Sequence, residues 1–377
     1  MRRDAFTEEH ELYREQFKKF AAKEIAPKVV AWNREGITDR DTWKKMGEAG
    51  FLAPCMPEEY GGAGADFRYD AIIMEELAYL RAHGIMTTVH ASICLPYLVT
   101  FGTEAQKRRW LPALTAGEKL GAFGLTEPGG GSDAGATRTT ARLDGEEWVI
   151  NGSKAFITNS GTDITALITV TALTGEKAIS SIIVPAGTPG LRVAPKYSKV
   201  GWSASDTREL SFDDVRVPAE NLVGERGRGY AQFLSILDEG RIAIAALATG
   251  LAQGCVDESL RYAKQRQAFG RPIGDFQAIQ FKVADMEMRA HTARLAWYDA
   301  AARLVRGEDF KRQAAIAKLY GSEVAVANAR DATQIHGGYG FMNEFPVARF
   351  WRDAKVLEIG EGTSEVQRMI IARDLGL

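Results

Sequence analysis

The sequence predicts a mostly α-helical protein with a small antiparallel β domain in the middle of the chain. Two observations lead to this fold class. Apolar residues recur at helical spacing near the N-terminus and again beyond Val223, whereas the segment between has short β-prone runs separated by turn residues. We therefore expect an N-terminal helical domain over residues 1–120, a middle antiparallel β-barrel or sandwich domain over residues 121–225, and a C-terminal helical bundle domain over residues 226–377.

Helical periodicity dominates the first domain from Thr7 to about Gly117. Tyr13, Phe17 and Phe20 have the spacing of one face of a helix. The stretch "PEEYGGAGAD" interrupts the helical pattern, and its glycines predict a loop.

The middle domain is predicted from its turns. In "ARLDGEEWVINGSKAFIT", Asp144-Gly145 and Asn151-Gly152 both have the composition of tight hairpin turns between short strands. The stretch "ALITVTALTGEKAISSIIVP" repeats the hairpin pattern, and "ELSFDDVRVP" closes the domain with alternating apolar residues.

Four long helical runs are predicted in the C-terminal domain: 230–265, 275–305, 310–335 and 364–374. Ser364 is followed three residues later by Gln367, which is the spacing of a capping box. The last helix is therefore expected to begin at about Ser364.

Composition excludes several classes of function. With 377 residues, 45% hydrophobic content and a formal charge of −2, the chain can bury a large core and carries no basic block for nucleic acid. Cys55, Cys94 and Cys255 form no CxxC pair, which is typical of reduced, mostly buried thiols. The polar start of the chain resembles no signal peptide and no later run is long enough to span a bilayer, so we expect a cytoplasmic, bacterial protein without a membrane segment.

Common catalytic and nucleotide motifs are missing from the sequence. It contains no GxGxxG between a strand and a helix, no P-loop, no HExxH and no GxSxG. The five histidines are scattered: His10, His83, His90, His291 and His336. We therefore expect no metal site.

Three loops rich in glycine and hydroxyl residues remain: "GLTEPGGGSDAG", "QIHGGYGF" and "EGTSE". Each exposes backbone N–H groups beside Ser or Thr, which suits a phosphate or a heteroaromatic edge. In the last loop, Glu361 lies between Gly360 and Gly362. By itself this pattern also fits a simple turn whose acid complements the dipole of the next helix.

Taken together and in order, these loops with "KAFITNSG", "RQAFGRPIGDFQAIQ" and "FPVARFWRDAK" closely resemble the acyl-CoA dehydrogenase family over essentially the whole chain. The resemblance implies a helical domain, a β domain and a C-terminal four-helix bundle. It also implies bound FAD, an acyl-CoA substrate, a homotetramer built as a dimer of dimers, and electron-transferring flavoprotein as electron acceptor.

Cofactor contacts follow from the resemblance residue by residue. Phe123, Leu125 and Thr126 would lie along the isoalloxazine, Ser132 between the flavin phosphate and the pantetheine of the substrate, and the Thr158 hydroxyl near flavin N5. Phe156 stands where several members have Trp, and it can still cover the ring. The remaining cofactor contacts implied are Ile157, Arg266, Phe269, Gln277, Gln334, Ile335, His336, Gly337, Gly338, Thr363, Ser364 and Glu365.

The same resemblance implies that Glu361 is the catalytic base. It would remove the C2 proton of a saturated acyl-CoA while flavin N5 takes the C3 hydride, giving the trans-2-enoyl-CoA. Burial should raise the pKa of Glu361, and its backbone N–H with a ribityl hydroxyl would stabilise the enolate. The implied substrate contacts are Ser132, Tyr230, Leu237, Asp238, Arg241, Gly360 and Gly362.

Alternative functions and one alternative position of the base stay open at this point. An oxygen-using acyl-CoA oxidase or a flavin monooxygenase has the same fold, and a catalytically silent CoA-thioester or flavin-binding scaffold would lose the base or the loops. Some relatives carry the base on an earlier helix. The matching position in this chain is Gly240, which cannot act as a base, so the alternative base is the neighbouring Glu239.

Gly360 bears on the shape of the acyl group. Many straight-chain relatives have Tyr there, whereas an isovaleryl-specific relative has Gly, so we expect a short-to-medium and branched acyl chain. A straight chain is the alternative if Leu357 or Tyr230 fills the gap.

Overall fold

The computed structural model describes residues 6–85 and 87–377. The first five residues of the predicted N-terminal domain, and Met86 within it, lie outside the described residues. The predicted fold class is confirmed: two helical regions flank a sheet domain. No helix in the described part of the chain is long and apolar enough to cross a membrane.

The N-terminal region consists of helices whose apolar faces pack into one core. Phe17 is completely buried, and Tyr13 and Phe20 pack against the same cluster, as the helical spacing predicts. The helices are α1 (Glu8–Glu24), α2 (Val29–Glu35), α3 (Arg40–Glu48), α4 (Phe67–Tyr79), α5 (Thr87–Val89), α6 (Leu95–Phe101) and α7 (Glu104–Thr115), with a π-helical segment (His90–Cys94) between α5 and α6.

Eight strands form the sheet of the middle domain, in the order β6-β7-β3-β2-β4-β5-β8 with β1 paired to β4. Most pairs are antiparallel, but β1 runs parallel to β4, and Thr140 of β2 forms a parallel contact with Leu173 of β4. The strands are β1 (Leu120–Gly124), β2 (Thr140–Asp144), β3 (Glu147–Thr158), β4 (Thr165–Gly175), β5 (Ala178–Pro185), β6 (Leu191–Val193), β7 (Thr207–Pro218) and β8 (Leu222–Val223).

One of the two predicted turns in this domain is wrong. The chain turns between Asp144 and Glu147, as expected, but Asn151-Gly152 lies inside the continuous strand β3. The register of β3 against β7 shifts between Ile150 and Gly152, which is a β-bulge. A Cβ at Gly152 would lie 2.6 Å from Thr139 Oγ1, so glycine here serves the bulge and a close strand contact.

Long helices build the C-terminal region: α8 (Gly229–Gln265), α9 (Gln277–Val305), α10 (Lys311–His336), α11 (Pro346–Ala354) and α12 (Ser364–Asp374), with a short hairpin of β9 (Gln267–Ala268) and β10 (Arg271–Pro272) after α8. Small residues in α8 let other elements approach closely. A Cβ at Gly250 would lie 1.9 Å from the backbone oxygen of Glu75 in α4. The C-terminal helices therefore share one buried cluster with the N-terminal region.

The prediction that Ser364 caps α12 is also wrong. The helix does begin at Ser364, but the N-cap is Thr363, whose hydroxyl accepts from the Val366 N–H at 3.3 Å. Ser364 Oγ is buried and has no hydrogen-bond partner within the described part of the chain, and the Gln367 amide donates to backbone carbonyls of the preceding turn. The cap is displaced because the chain enters the helix one residue earlier than the sequence spacing indicates.

Candidate functional site

Glu361 lies in the turn before α12, with its backbone in the left-handed region at φ 54°. Its Oε2 atom is buried and has no hydrogen-bond partner among the described residues. The carboxylate points at α8, because a Cβ built on Gly240 would lie 2.6 Å from Oε2. A side chain at position 240 would therefore require the Glu361 carboxylate to shift from this position.

Burial raises the pKa of Glu361 to about 7, although the positive charges of Lys318 and Arg241 act in the opposite direction. A carboxylate whose pKa is raised in this way can both accept and release a proton near neutral pH. Arg241 is itself held by a hydrogen bond to Asp238, three residues earlier on α8. The site therefore combines an unpartnered acid with two nearby cations.

The alternative base, Glu239, has different neighbours from those of Glu361. Burial, together with the neighbouring charge of Asp238, raises its pKa. Its charge also acts on Asp70 of α4 and on Cys55. A Cβ on Gly240 would meet Glu361, and the charges that act on the pKa of Glu361 are those of Lys318 and Arg241 rather than that of Glu239.

Space beside Gly360 is open. A Cβ there would have one neighbour within 4 Å, the Val356 backbone oxygen at 3.5 Å. Leu357 is buried in the C-terminal core, and Tyr230 lies against Gly135, 3.6 Å from a Cβ built there. Neither side chain comes within 4 Å of a Cβ built on Gly360.

A cavity of about 540 Å³ lies at the C-terminal end of α8. Tyr262 stacks on His336 with 4.1 Å between ring centroids, and the Arg266 guanidinium lies 5.7 Å from the Tyr339 ring centroid. A Cβ at Gly337 or Gly338 would meet nothing within 4 Å. Arg266, Ile335, His336, Gly337 and Gly338 line this cavity, so five of the predicted cofactor residues come together there.

Predicted cofactor residues of the middle domain lie around the end of β1. The Phe123 ring stacks on Phe233 of α8 with 3.8 Å between centroids. Leu125 and Thr126 follow the strand, and their carbonyls accept from Lys154 Nζ at 3.2 Å and from the Ala155 N–H at 2.9 Å. The backbone of this segment is therefore tied to β3.

Phe156 and Thr158 lie at the end of β3. Phe156 is 66% exposed, and its ring centroid lies 5.4 Å from that of Tyr197. Ile157, between them, is buried in the core of the sheet, so its side chain is not at the surface where its two neighbours lie. An exposed aromatic ring beside a hydroxyl residue is suited to cover a flat ligand.

Several other predicted residues are exposed and are not among those that line the cavity at Arg266: Ser132, Phe269, Gln277, Gln334 and Glu365. Phe269 is 94% exposed. Leu237 and Asp238 are half-buried on α8 near Arg241, and Gly362 and Thr363 follow Glu361.

Two buried polar residues near Glu361 were not predicted from the sequence. Lys318 of α10 and Gln367 of α12 are both completely buried, and both donate to the Gly362 carbonyl, at 2.6 Å and 2.9 Å. The one signal in the sequence is that Lys318 interrupts the small apolar run "AAIAKLYG". Burial lowers the pKa of Lys318 to about 8.

The chain matches three family models: "Acyl-CoA dehydrogenase, N-terminal domain" over residues 7–118, "Acyl-CoA dehydrogenase, middle domain" over residues 122–215, and "Acyl-CoA dehydrogenase, C-terminal domain" over residues 227–376.

Curated relatives match over nearly the whole chain. "Probable acyl-CoA dehydrogenase YngJ" of Bacillus subtilis is 48% identical over 375 residues, which is 98% of each chain. "Short-chain specific acyl-CoA dehydrogenase, mitochondrial" of Mus musculus is 44% identical over 98% of this chain and 90% of its own.

Solved structures also match over nearly the whole of this chain. The butyryl-CoA dehydrogenase of Megasphaera elsdenii has a TM-score of 0.94 at 40% identity, with 99% of each chain covered. A chain from the structure described as "Electron transferring flavoprotein of Acidaminococcus fermentans" has a TM-score of 0.94 at 41% identity, with 98% of each chain covered. An acyl-CoA dehydrogenase from Bacillus anthracis complexed with FAD has a TM-score of 0.93 at 35% identity, covering 98% of this chain and 67% of its own.

Proposed function

The chain belongs to the acyl-CoA dehydrogenase family, and we propose that it oxidises a short-chain acyl-CoA to the trans-2-enoyl-CoA with Glu361 as the base. The observation that carries this proposal is the buried, unpartnered Glu361 Oε2 facing Gly240. A buried carboxylate oxygen that has no hydrogen-bond partner among the described residues is available to a ligand, and burial raises the pKa of Glu361 to about 7.

The enzymes of this family use FAD, and the residues of this chain fit it. The cavity at Arg266 offers a guanidinium for a phosphate, and the two open glycines allow a ligand to approach the backbone. The buried Nε2 of His336, which lines that cavity, has no partner among the described residues. When bound, FAD supplies N5 as the acceptor for the hydride of C3.

Glu361 takes the C2 proton onto its carboxylate, and the electron pair of that C–H bond enters the enolate of the thioester. Within residues 6–85 and 87–377, no hydrogen bond uses the Glu361 backbone N–H, so it is free to donate to the thioester oxygen. Lys318 and Arg241 favour the ionised carboxylate before the transfer. Gly240 keeps the space that the carboxylate occupies.

The proposed substrate is a short acyl chain that can carry a branch. Relatives named as short-chain specific and as butyryl-CoA dehydrogenase support the length. The open space beside Gly360 supports the branch, because one or two additional methyl groups there would each contribute roughly 0.8 kcal/mol on burial.

The electron acceptor and the oligomeric state are part of the same proposal. Similarity to a chain from a structure of electron-transferring flavoprotein supports that flavoprotein as the acceptor. Exposed aromatic residues, among them Phe269, Phe281 and Phe341, support assembly into the homotetramer implied by the family resemblance. A cytoplasmic location is part of the same proposal.

Replacing Glu361 with Gln tests the base. We expect Glu361→Gln to retain FAD and to bind butyryl-CoA, while anaerobic flavin reduction slows by at least ~10²–10⁴-fold. In the unmodified enzyme the reduction rate should rise with pH through about 7, because the base acts when ionised. A variant that bleaches its flavin at nearly the normal rate would remove Glu361 from the mechanism. Reoxidation by electron-transferring flavoprotein against oxygen distinguishes a dehydrogenase from an oxidase.

Replacing Gly360 with Tyr tests the acyl shape. We expect kcat/KM for isobutyryl-CoA and isovaleryl-CoA to fall more than that for butyryl-CoA, because the phenol occupies the branch space. Gly175→Tyr, in the hairpin between β4 and β5, is the matched control. The branched-chain assignment is wrong if the unmodified enzyme prefers butyryl-CoA by more than about tenfold, roughly 1.4 kcal/mol.

A further inference from the structure

We propose that Gln367 and Lys318 are positioning residues that clamp the two carbonyls following the base, so that the Glu361 carboxylate and N–H both remain directed at the substrate. The inference rests on the proposed function and assigns roles to two residues that do not touch the reacting atoms. Both side chains are completely buried and come from different helices, α12 and α10.

The geometry of the clamp is defined by four hydrogen bonds. Gln367 Nε2 donates to the Glu361 carbonyl at 3.3 Å and to the Gly362 carbonyl at 2.9 Å. Lys318 Nζ donates to the Gly362 carbonyl at 2.6 Å. Ahead of the base, the Gly360 N–H donates to the Val356 carbonyl at 2.8 Å. The backbone is therefore held on both sides of Glu361.

A clamp is needed because this turn is strained. Glu361 adopts the left-handed conformation, which costs a residue with a side chain energy and persists where surrounding contacts hold it. Gly362 at φ 94° continues the turn, and a Cβ there would lie 2.7 Å from Gln367 Nε2. Gln367 thus packs directly against the backbone that it holds.

The direction of the bonds explains their use. All hydrogen bonds from Gln367 and Lys318 to this turn go to carbonyl oxygens, and none goes to the Glu361 carboxylate or N–H in the described part of the chain. The groups that perform the chemistry are left unpaired while the groups beside them are satisfied. Hydrogen bonds to the neighbouring carbonyls therefore hold Glu361 in place and leave its carboxylate and N–H available to the substrate.

Lys318 has a second effect through its charge. The titratable groups around it are Glu361, Arg241, Glu358 and Glu365, and those that act on Glu361 are Lys318 and Arg241. An uncharged residue at position 318 removes one of the two cations that favour the ionised base. The pH at which the base becomes active should therefore rise.

The test separates proton removal from flavin chemistry. (Methylthio)acetyl-CoA has sulfur at position 3, so it can lose a C2 proton but has no hydride to give there. Exchange of its C2 hydrogens with D₂O, followed by NMR on the FAD-loaded enzyme, measures the base alone. Flavin reduction by butyryl-CoA and the Kd for crotonyl-CoA are measured on the same samples.

We expect Gln367→Met to slow C2 exchange by roughly tenfold or more. A displaced Glu361 N–H would donate less well to the enolate oxygen and would stabilise the transition state less. The Kd for crotonyl-CoA should change less than about threefold, since the contact strengthens mainly in the transition state. The matched control is Gln106→Met: buried Gln106 also donates to two carbonyls, those of Glu220 and Leu222 at 2.7 Å and 2.9 Å, far from the base. It should leave the exchange rate unchanged.

For Lys318→Met we expect the midpoint of the pH profile of exchange to move up by about one unit, and Lys318→Arg to restore it in part. Lys199→Met is the control, because Lys199 donates to the Ser205 carbonyl at 2.6 Å without contacting the site. Equal effects in the Gln367 and Gln106 variants, or unchanged rates and midpoints in both clamp variants, would overturn the proposal. Failure of Glu361→Gln to abolish exchange would instead overturn the proposed base, so the two failures are distinguishable.

Discussion

At the scale of single residues, the site depends on a close contact between a glycine of α8 and an acid in the turn before α12. Gly240 of α8 has no side chain, and the Glu361 carboxylate occupies the space that a side chain would take. The two positions therefore cannot both carry large groups. This explains physically why a chain with its base at Glu361 has glycine at position 240.

This contact predicts the effect of one added methyl group. Gly240→Ala should displace the Glu361 carboxylate and reduce the rate of flavin reduction by butyryl-CoA about tenfold or more, since a small misplacement of a catalytic group is costly. The control is Gly321→Ala on α10, where a Cβ would have ordinary contacts at 3.5 Å or more. That control should keep its rate and gain up to ~1 kcal/mol of stability from helix propensity. An alanine at 240 without effect on the rate would contradict the close contact.

At the scale of elements, α12 shows how the start of a helix is decided. Thr363 and Ser364 are adjacent hydroxyl residues, and either satisfies the composition of an N-cap. Gln367 is committed to the turn that contains the base, so it does not serve a capping box from Ser364. The cap therefore falls on Thr363.

The two hydroxyls should respond differently to removal. Thr363→Ala should lower the free energy of unfolding by about 1 kcal/mol, because the Val366 N–H loses its partner. Ser364→Ala should cost less, because Ser364 Oγ is buried and unpartnered. Urea unfolding of both variants, at equal FAD loading, checks the order. A larger loss in the Ser364 variant would contradict the assigned cap.

At the scale of the whole molecule, buried charges connect the N-terminal helices to the C-terminal ones. Arg14 of α1 contacts Glu75 and Glu76 of α4 at 2.9 Å and 2.7 Å, and Arg294 of α9 contacts Glu75 at 2.9 Å. Burial acts to raise the pKa of Glu75, but the two arginines outweigh it and hold the pKa below its ordinary value.

Removing one partner should destabilise the whole molecule. Arg14→Met should lower the free energy of unfolding by about 3–5 kcal/mol, since it leaves buried carboxylates incompletely paired. Lys18→Met breaks the exposed Lys18–Glu15 pair at 3.1 Å and should cost less than ~1 kcal/mol. Because the folded-state pKa of Glu75 is lowered, its stabilisation is present above the unfolded pKa and is lost as the pH falls through the folded-state value. Urea unfolding at pH 7 and at low pH checks both statements; equal losses in the two variants would contradict the network.

The sequence by itself determined the fold class, the change from helices to strands and back and the start of α12 at Ser364, and the resemblance of its motifs to a known family indicated Glu361 as the candidate base. These features are encoded locally, in the spacing of apolar residues and in short motifs. Local spacing failed at Asn151-Gly152, where the composition of a turn occurs inside β3 because the partner strand β7 and Thr139 impose a bulge.

Only the tertiary structure decided which distant residues surround the base. Gly240, Lys318 and Gln367 are far apart in the chain, and no spacing relates them to Glu361. Their roles arise from the packing of α8, α10 and α12 around one turn, where a missing side chain makes room for the carboxylate and two buried donors hold the carbonyls beside it. The charge, burial and orientation of the base depend on these contacts across the fold, and short-range sequence patterns contain no information about them.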